Sequence, residues 1–235
     1  MIMQRTTLPK LDRGKAGQWA KRILFYVAGL WILALGVAIS VRSNLGVSPV
    51  SSVPLVVSNV LHLELGNTTI LVFCLYVLAE IAILRKEFRW IQLLQVPCAV
   101  LFGKFVTLTS GWLSGWQPKS YAEQLGMILI NVVLLAIGIK LYLLADLVPQ
   151  AADGLMQAIS QKGNWKLANV KNIFDLCSIS TAAAISLLAT GSIIGLREGT
   201  VIAALGVGRV LALLNRIDGD RLHHYVFGEE QSCTP

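Results

Sequence analysis

Six apolar stretches dominate this chain, near residues 23–41, 67–84, 90–109, 124–145, 171–190 and 198–215. A helix needs about 17–25 such residues to cross roughly 30 Å of hydrocarbon. Lipid offers no hydrogen-bond partners, so a lone stretch of this kind can enter it only as a helix that satisfies its own backbone. With 55% hydrophobic and 14% charged residues, a soluble domain of 235 residues would carry far more apolar surface than it could cover. The expected class is an all-α integral membrane protein with six transmembrane helices.

Two further apolar pieces, near 48–61 and 148–161, are too short to cross and read as re-entrant or interfacial helices. Each follows a break in the apolar pattern. The first break is Asn44-Leu45-Gly46-Val47-Ser48-Pro49-Val50-Ser51-Ser52, and the second is Asp146-Leu147-Val148-Pro149-Gln150-Ala151-Ala152-Asp153-Gly154, 102 residues later.

Basic residues set the orientation, because positive loops stay cytoplasmic. With both short pieces re-entrant, one face collects Arg5, Lys10, Arg13, Lys15, Lys21 and Arg22, then Arg85, Lys86 and Arg89, then Lys162, Lys166 and Lys171, then Arg216 and Arg221. These are 14 of the 20 basic residues. The other face holds Arg42, Lys119 and Arg197, while Lys104, Lys140 and Arg209 fall within spans. If the short pieces crossed fully, the 85–89 loop would be forced outside, so an eight-span arrangement is rejected. Both termini are expected in the cytoplasm. No cleavage site closes the first span, so it is not read as a removable signal peptide. The net charge of +7 suits an anionic inner leaflet and is no argument for nucleic acid.

This orientation makes the halves opposite in sense, which is the pattern of two inverted-topology repeats. The expected organisation is a cytoplasmic tail over 1–22, a first repeat over 23–110, an extracytoplasmic linker over 111–122, a second repeat over 123–216 and a cytoplasmic tail over 217–235. An offset of 102 across residues 44–69 matches only Leu45/Leu147, Ser58/Ser160, Leu65/Leu167 and Asn67/Asn169, so the pattern of spans carries the inference.

Backbone that leaves helical geometry inside hydrocarbon must be buried in protein or line a watery cavity, and paired breaks are where transporters place their sites. Ser48 is expected to cap the first short helix, with Pro49 at its start and Pro149 opening the second. Pro54 argues for a start after Ser51-Ser52 instead. Free N–H groups at such ends favour an anionic or strongly hydrogen-bonding solute. Asp153, followed by Gly154, is the sharpest residue. An acid at membrane depth costs about 2.5–3.5 kcal/mol on insertion scales and usually serves function, although it can also cap a helix. The candidate substrate and coupling residues are Asp153, Gly154, Ser48, Ser51, Ser52, Asn44 and Asp146. Glu80, Lys140, Asp175, Arg209 and Lys104 lie near span ends and read as interface anchors, with Asp175 one turn from Lys171.

No His/Cys ligand spacing, HExxH, GxSxG or P-loop occurs, so neither a metal, a cofactor nor enzymatic chemistry is expected. His62, His223 and His224 read as solvated flanking residues.

The chain resembles the YczE/YyaS/YitT group of bacterial inner-membrane proteins. The resemblance covers about residues 22–216 and rests on Asn44-Leu45-Gly46-Val47-Ser48-Pro49, Asp153-Gly154-Leu155-Met156 and Gly199-Thr200-Val201-Ile202. It implies a multi-pass protein of the bacterial cytoplasmic (inner) membrane. The group's second-half motif reads Gly-x-Gly-Pro-Arg-Asp-Gly-Leu-Met, whereas Pro149-Gln150-Ala151-Ala152 precede Asp153 here, so no arginine adjoins the acid. The inverted-repeat pattern, not the resemblance, leads to the functional reading of a secondary transporter of a small polar or anionic solute. The alternatives are a passive channel and a non-transporting accessory or regulatory membrane protein. Its partners are the lipid bilayer and the solute, a homo-oligomer is left open, and Gly29, Gly36, Gly206 and Gly208 permit close helix packing.

Overall fold

The computed structural model describes residues 13–218, which form eight α-helices and no strand. They are α1 (Arg13–Ser43), α2 (Pro49–Leu61), α3 (Leu65–Leu84), α4 (Gln95–Trp112), α5 (Tyr121–Ala145), α6 (Ala151–Gly163), α7 (Leu167–Thr190) and α8 (Glu198–Asp218). Two 3-10 turns, Arg85–Glu87 and Trp90–Leu94, lead from α3 into α4. Six of these segments are long and apolar enough to cross a membrane, while α2 and α6, at 13 residues each, are not.

Helix α1 starts at Arg13, within the stretch expected as a polar tail. Strong helix formers such as Lys15, Ala16, Ala20 and Lys21 carry it beyond the apolar residues. The expected tail residues 1–12 and 219–235, with Arg221, His223, His224 and Cys233, lie outside the described residues.

The centre of the molecule is the α1–α5 pair. A Cβ on Gly29 would lie 2.7 Å from the Tyr142 nitrogen and 2.9 Å from the Gly138 oxygen, and one on Gly138 would lie 2.9 Å from the Gly29 oxygen. With little hydrophobic drive between helices in lipid, such backbone contact is what holds spans together. Tyr26, Leu30, Leu33, Phe73, Phe102 and Tyr142 fill the surrounding core. Of the other glycines expected to permit close helix packing, Gly36 packs on Asn131 and Leu135 and Gly206 packs on Val132. Only Gly208 faces open space.

The remaining helices attach around this pair. Helix α4 packs on α1 and α3, and α8 packs on α5. Helix α2 lies against α7 and α3, and α6 lies against α3 and α7. Two ends of the bundle are defined by contacts. At one, Arg22 Nε donates to the Ala145 carbonyl at 2.8 Å, Arg22 Nη2 donates to the Asp146 carbonyl, and Lys162 meets Glu87 at 2.8 Å. At the other, the Gly199 nitrogen donates to the Leu45 carbonyl at 2.8 Å and the Val47 nitrogen to the Gly195 carbonyl at 3.2 Å.

Candidate functional site

Both breaks form in the same way. Helix α1 ends at Asn44 with φ 57°, and α5 ends at Asp146 with φ 45°. Asn and Asp tolerate this left-handed cap because their short polar side chains compensate locally. The backbone then turns back into the protein. Gly46, at φ 104°, lies so close to the Arg197 nitrogen and the Thr200 hydroxyl that no side chain fits. Ser43 and Ser40 secure this turn, the Ser43 hydroxyl accepting from the Leu45 nitrogen and the Ser40 hydroxyl donating to the Gly46 carbonyl at 2.9 Å.

Ser48 occupies the N-cap position of α2, but its hydroxyl donates to the Ser51 hydroxyl at 3.2 Å instead of capping the backbone. The helix begins at Pro49, the first of the two starts expected, and continues through Pro54, so the later start after Ser51-Ser52 is not taken. A turn closed by the Ser51 nitrogen on the Ser48 carbonyl, at 2.9 Å, starts the helix ahead of Pro54. The Ser52 hydroxyl satisfies the Pro49 carbonyl at 2.6 Å, so within this turn Pro54 deprives only the Val50 carbonyl of a helical partner.

Helix α6 begins at Ala151 with Gln150 as N-cap, two residues after Pro149. Asp153 lies in its first turn and does not cap it. The Tyr142 hydroxyl of α5 donates to Asp153 Oδ2. Lys171 and Asp175 on α7 lie within electrostatic reach of the same carboxylate, and they pair with each other at 3.3 Å, as the sequence spacing implied.

The first turn of α2 touches α7 directly, and Asp153 in the first turn of α6 lies within electrostatic reach of the same helix. Ser52 donates to the Ser178 carbonyl at 3.4 Å, the Tyr76 hydroxyl of α3 reaches Ser178, and Asp175 stands one turn away from Ser178 on the same helix. Ser52 thus contacts α7 at Ser178, with Ser48 and Ser51 beside it, and Asp153 feels Lys171 and Asp175 one to two turns earlier on the same helix. Asn44 and Asp146 are not part of this group. They form exposed helix ends, Asn44 accepting from Arg197 through its carbonyl and Asp146 lying 3.8 Å from Arg22.

A second cluster was missed by sequence reasoning. Glu80 is fully buried and is not an interface anchor. Its Oε1 accepts from Gln92 Nε2 at 2.9 Å, and it faces Gln95, which is 1% exposed at the start of α4. Gly154 of α6 closes over both. Only the placement of a carboxylate and two glutamines around one loop hinted at this cluster, and the fold was needed to bring Gly154 there. Of the other expected anchors, Lys140 donates to the Leu214 carbonyl at 2.9 Å, and Lys104 and Arg209 are exposed. Among the described residues no group of three or more His, Cys, Asp or Glu could hold a metal, and Cys74, Cys98 and Cys177 are free.

A multi-pass, all-helical membrane protein with two short helices among six long apolar ones is the class these features define. The chain belongs to a family of unknown function, DUF6198, whose model matches residues 20–216. It is 28% identical over 191 residues to the uncharacterized membrane protein YczE of Bacillus subtilis (strain 168), covering 81% of this chain and 83% of that protein. No solved structure matches. The expected membership of a YczE-like membrane family is thereby established.

Proposed function

We propose that this protein is a secondary transporter that moves a small polar or anionic solute across the bacterial inner membrane by alternating access. The observation that carries the reading is the convergence of two breaks, 102 residues apart, on the same helix, α7. Paired discontinuous helices that turn their N-terminal ends inward are how transporters build sites from two repeats.

Two inverted repeats are supported by matched details at the 102-residue offset. The left-handed caps Asn44 and Asp146 correspond, as do His62 and Asn164. Ser58 donates to the Leu63 carbonyl at 2.6 Å, and Ser160 donates to the Trp165 carbonyl at 2.7 Å. Contacts also pair when the halves are exchanged. The α2–α7 contact answers α6–α3, and α1–α4 answers α5–α8. In this reading α2 and α6 are re-entrant, and the end marked by Arg22, Lys162 and the 85–89 loop is cytoplasmic with both termini.

Asp153 is the coupling carboxylate, held by Tyr142 and facing Lys171 and Asp175, while Ser48, Ser51 and Ser52 supply hydroxyls on the opposite side of the site. Gly154 lets α6 approach, and Asn44 and Asp146 set the break geometry. The first turn of α6 leaves backbone N–H groups without helical partners, which favours an anionic or hydrogen-bonding solute. No chemical conversion, cofactor, metal or nucleic acid enters this reading, and homo-oligomer packing is left to surfaces such as that around Gly208.

The test is a thermal-shift screen of purified wild type and Asp153→Asn against small anions, amino acids and thiol metabolites, since a ligand that binds the folded state raises its apparent stability. A compound that stabilises wild type and not the variant supports the reading and selects the solute for flux assays in proteoliposomes. A well-folded preparation stabilised by none of them moves the assignment to an accessory membrane factor. Cysteines placed singly at 51 and 153 in a background without native cysteines should react with small aqueous thiol reagents, and protection of both would remove the cavity. A reporter fused after residue 235 should report a cytoplasmic C-terminus.

A further inference from the structure

We propose that this structure is the inward-facing one of two states, and that in the other α8 closes on the cytoplasmic half of α7 while α3 and α4 part at the opposite end. The proposal deepens the transport reading, on which the repeat and the inward sense rest. The exchange of the two helix seams can be measured without any solute.

Exchanging the two repeats turns α1 into α5, α2 into α6, α3 into α7 and α4 into α8. The helix contacts then fall into pairs. Helix contact α2–α7 answers α6–α3, α1–α4 answers α5–α8, α2–α3 answers α6–α7, and α2–α8 answers α6–α4. One contact has no answer. Helices α3 and α4 pack extensively, whereas α7 and α8, joined by the loop 191–197, share no extended contact among the described residues. The α3–α4 seam is sealed at close range. A Cβ on Gly103 would lie 2.6 Å from the Gly66 oxygen and would also strike Ile70, and the Phe73 and Phe102 rings stack at 5.7 Å.

The residues that seal this seam have counterparts left open in the second half. At the 102-residue offset Gly66, Ile70 and Phe73 correspond to Ala168, Asn172 and Asp175, and three residues beyond that offset Gly103-Lys104 recurs as Gly208-Arg209. Ala168, Asn172 and Gly208 are exposed, and a Cβ on Gly208 would meet no atom within 4 Å. Small residues on both helices allow α7 and α8 the close approach that α3 and α4 already make. What the open seam leaves uncovered is polar. Lys171, Asn172 and Asp175 stand where α3 carries Thr69, Ile70 and Phe73. Polar and ionisable groups within a span face a watery path or the bundle interior, not lipid. Asp153 lies within electrostatic reach of Lys171 and Asp175, so the open seam leads to the proposed solute site.

Inverted repeats give one sealed and one open seam a meaning. Alternating access requires two states in which the halves exchange conformations around a fixed site. In the orientation proposed above, the sealed seam joins the extracytoplasmic ends of α3 and α4, and the open seam separates the cytoplasmic ends of α7 and α8. Exchanging them brings Gly208 against Ala168, covers Asn172 and Asp175, and releases Gly66 from Gly103 on the opposite face.

Disulfide trapping followed by hydrogen exchange tests this, on the full-length protein in lipid nanodiscs with serine at the 4 native cysteines. In the double variant Ala168→Cys/Gly208→Cys, oxidation by copper phenanthroline should join the two positions within one chain. The open space around Gly208 means that this bond forms only when α8 approaches α7. The joined protein should lose amide protection over 65–70 and 103–109, and reduction should restore it. Three results would overturn the proposal: no bond, a bond between two chains, which gives this face to a second copy, or a bond that leaves α3 and α4 as protected as before. A chain that exchanges its seams yet moves no solute keeps the two states and loses only the transport reading.

Discussion

Helices α2 and α6 are the same device with different chemistry in the first turn. Both have 13 residues, both follow a left-handed cap, and both carry in the last turn a serine that hydrogen-bonds the chain five residues on. Their starts diverge. Helix α2 opens with proline and serines that bond one another and nearby carbonyls. Helix α6 opens with a carboxylate bound to a tyrosine of α5 and a glycine pressed on Glu80 and Gln95. The ends are thus alike in geometry, whereas the starts differ in the polar groups they present.

A second contrast lies in the spans that follow. Gly66 of α3 sits so tightly against Gly103 of α4 that no Cβ fits, while Ala168, its counterpart in α7, is exposed. Helices α7 and α8 bury the least of their length among the spans. Spans α3 and α4 are thus packed more closely than α7 and α8.

The largest test of this contrast is Gly66→Leu against Ala168→Leu. The first forces the α3 and α4 backbones apart and should cost about 3 kcal/mol or more of stability, read as a lower thermal midpoint in detergent, while the second should stay within about 0.5 kcal/mol. Equal effects would dissolve the distinction between halves. Next comes the asymmetry of the first turns. Asp153→Asn should express normally and lose its pH-dependent flux by about tenfold or more, about 1.4 kcal/mol, whereas Ser51→Ala should keep the wild-type pH profile. An unchanged flux with an unchanged pH response in Asp153→Asn would strip the acid of its coupling role. Removing the Tyr142 hydroxyl in Tyr142→Phe leaves the Asp153 carboxylate without its donor and should cost about 1–2 kcal/mol of stability, visible in denaturant unfolding. The smallest effect tests likeness instead of difference: Ser58→Ala and Ser160→Ala should each cost about 1 kcal/mol and agree within measurement error, because both delete the same helix-end bond. A large disagreement between them would weaken the repeat.

The identities at the 102-residue offset were too few to argue a repeat from residues alone, yet one of them, Ser58/Ser160, marks the same helix-end bond in both halves. Asp153 stood out because an acid is expensive at membrane depth wherever it points. Glu80 did not, because a long side chain near the end of a span can reach water, and only packing reveals that it does not. Gln95 and Gly154 had no signal of their own. Each is ordinary until a helix from the other half is laid across it.

The sequence by itself determined the class, the six spans, the two short helices and the position of the breaks, since these follow from the length and spacing of apolar runs in a solvent that cannot satisfy the backbone. Tertiary structure decided which residues meet. The meeting of Ser52 with Ser178, of Tyr142 with Asp153, and of Gly154 with Glu80 and Gln95 depends on helix rotation and close backbone approach, which are set by contacts between residues far apart in the chain.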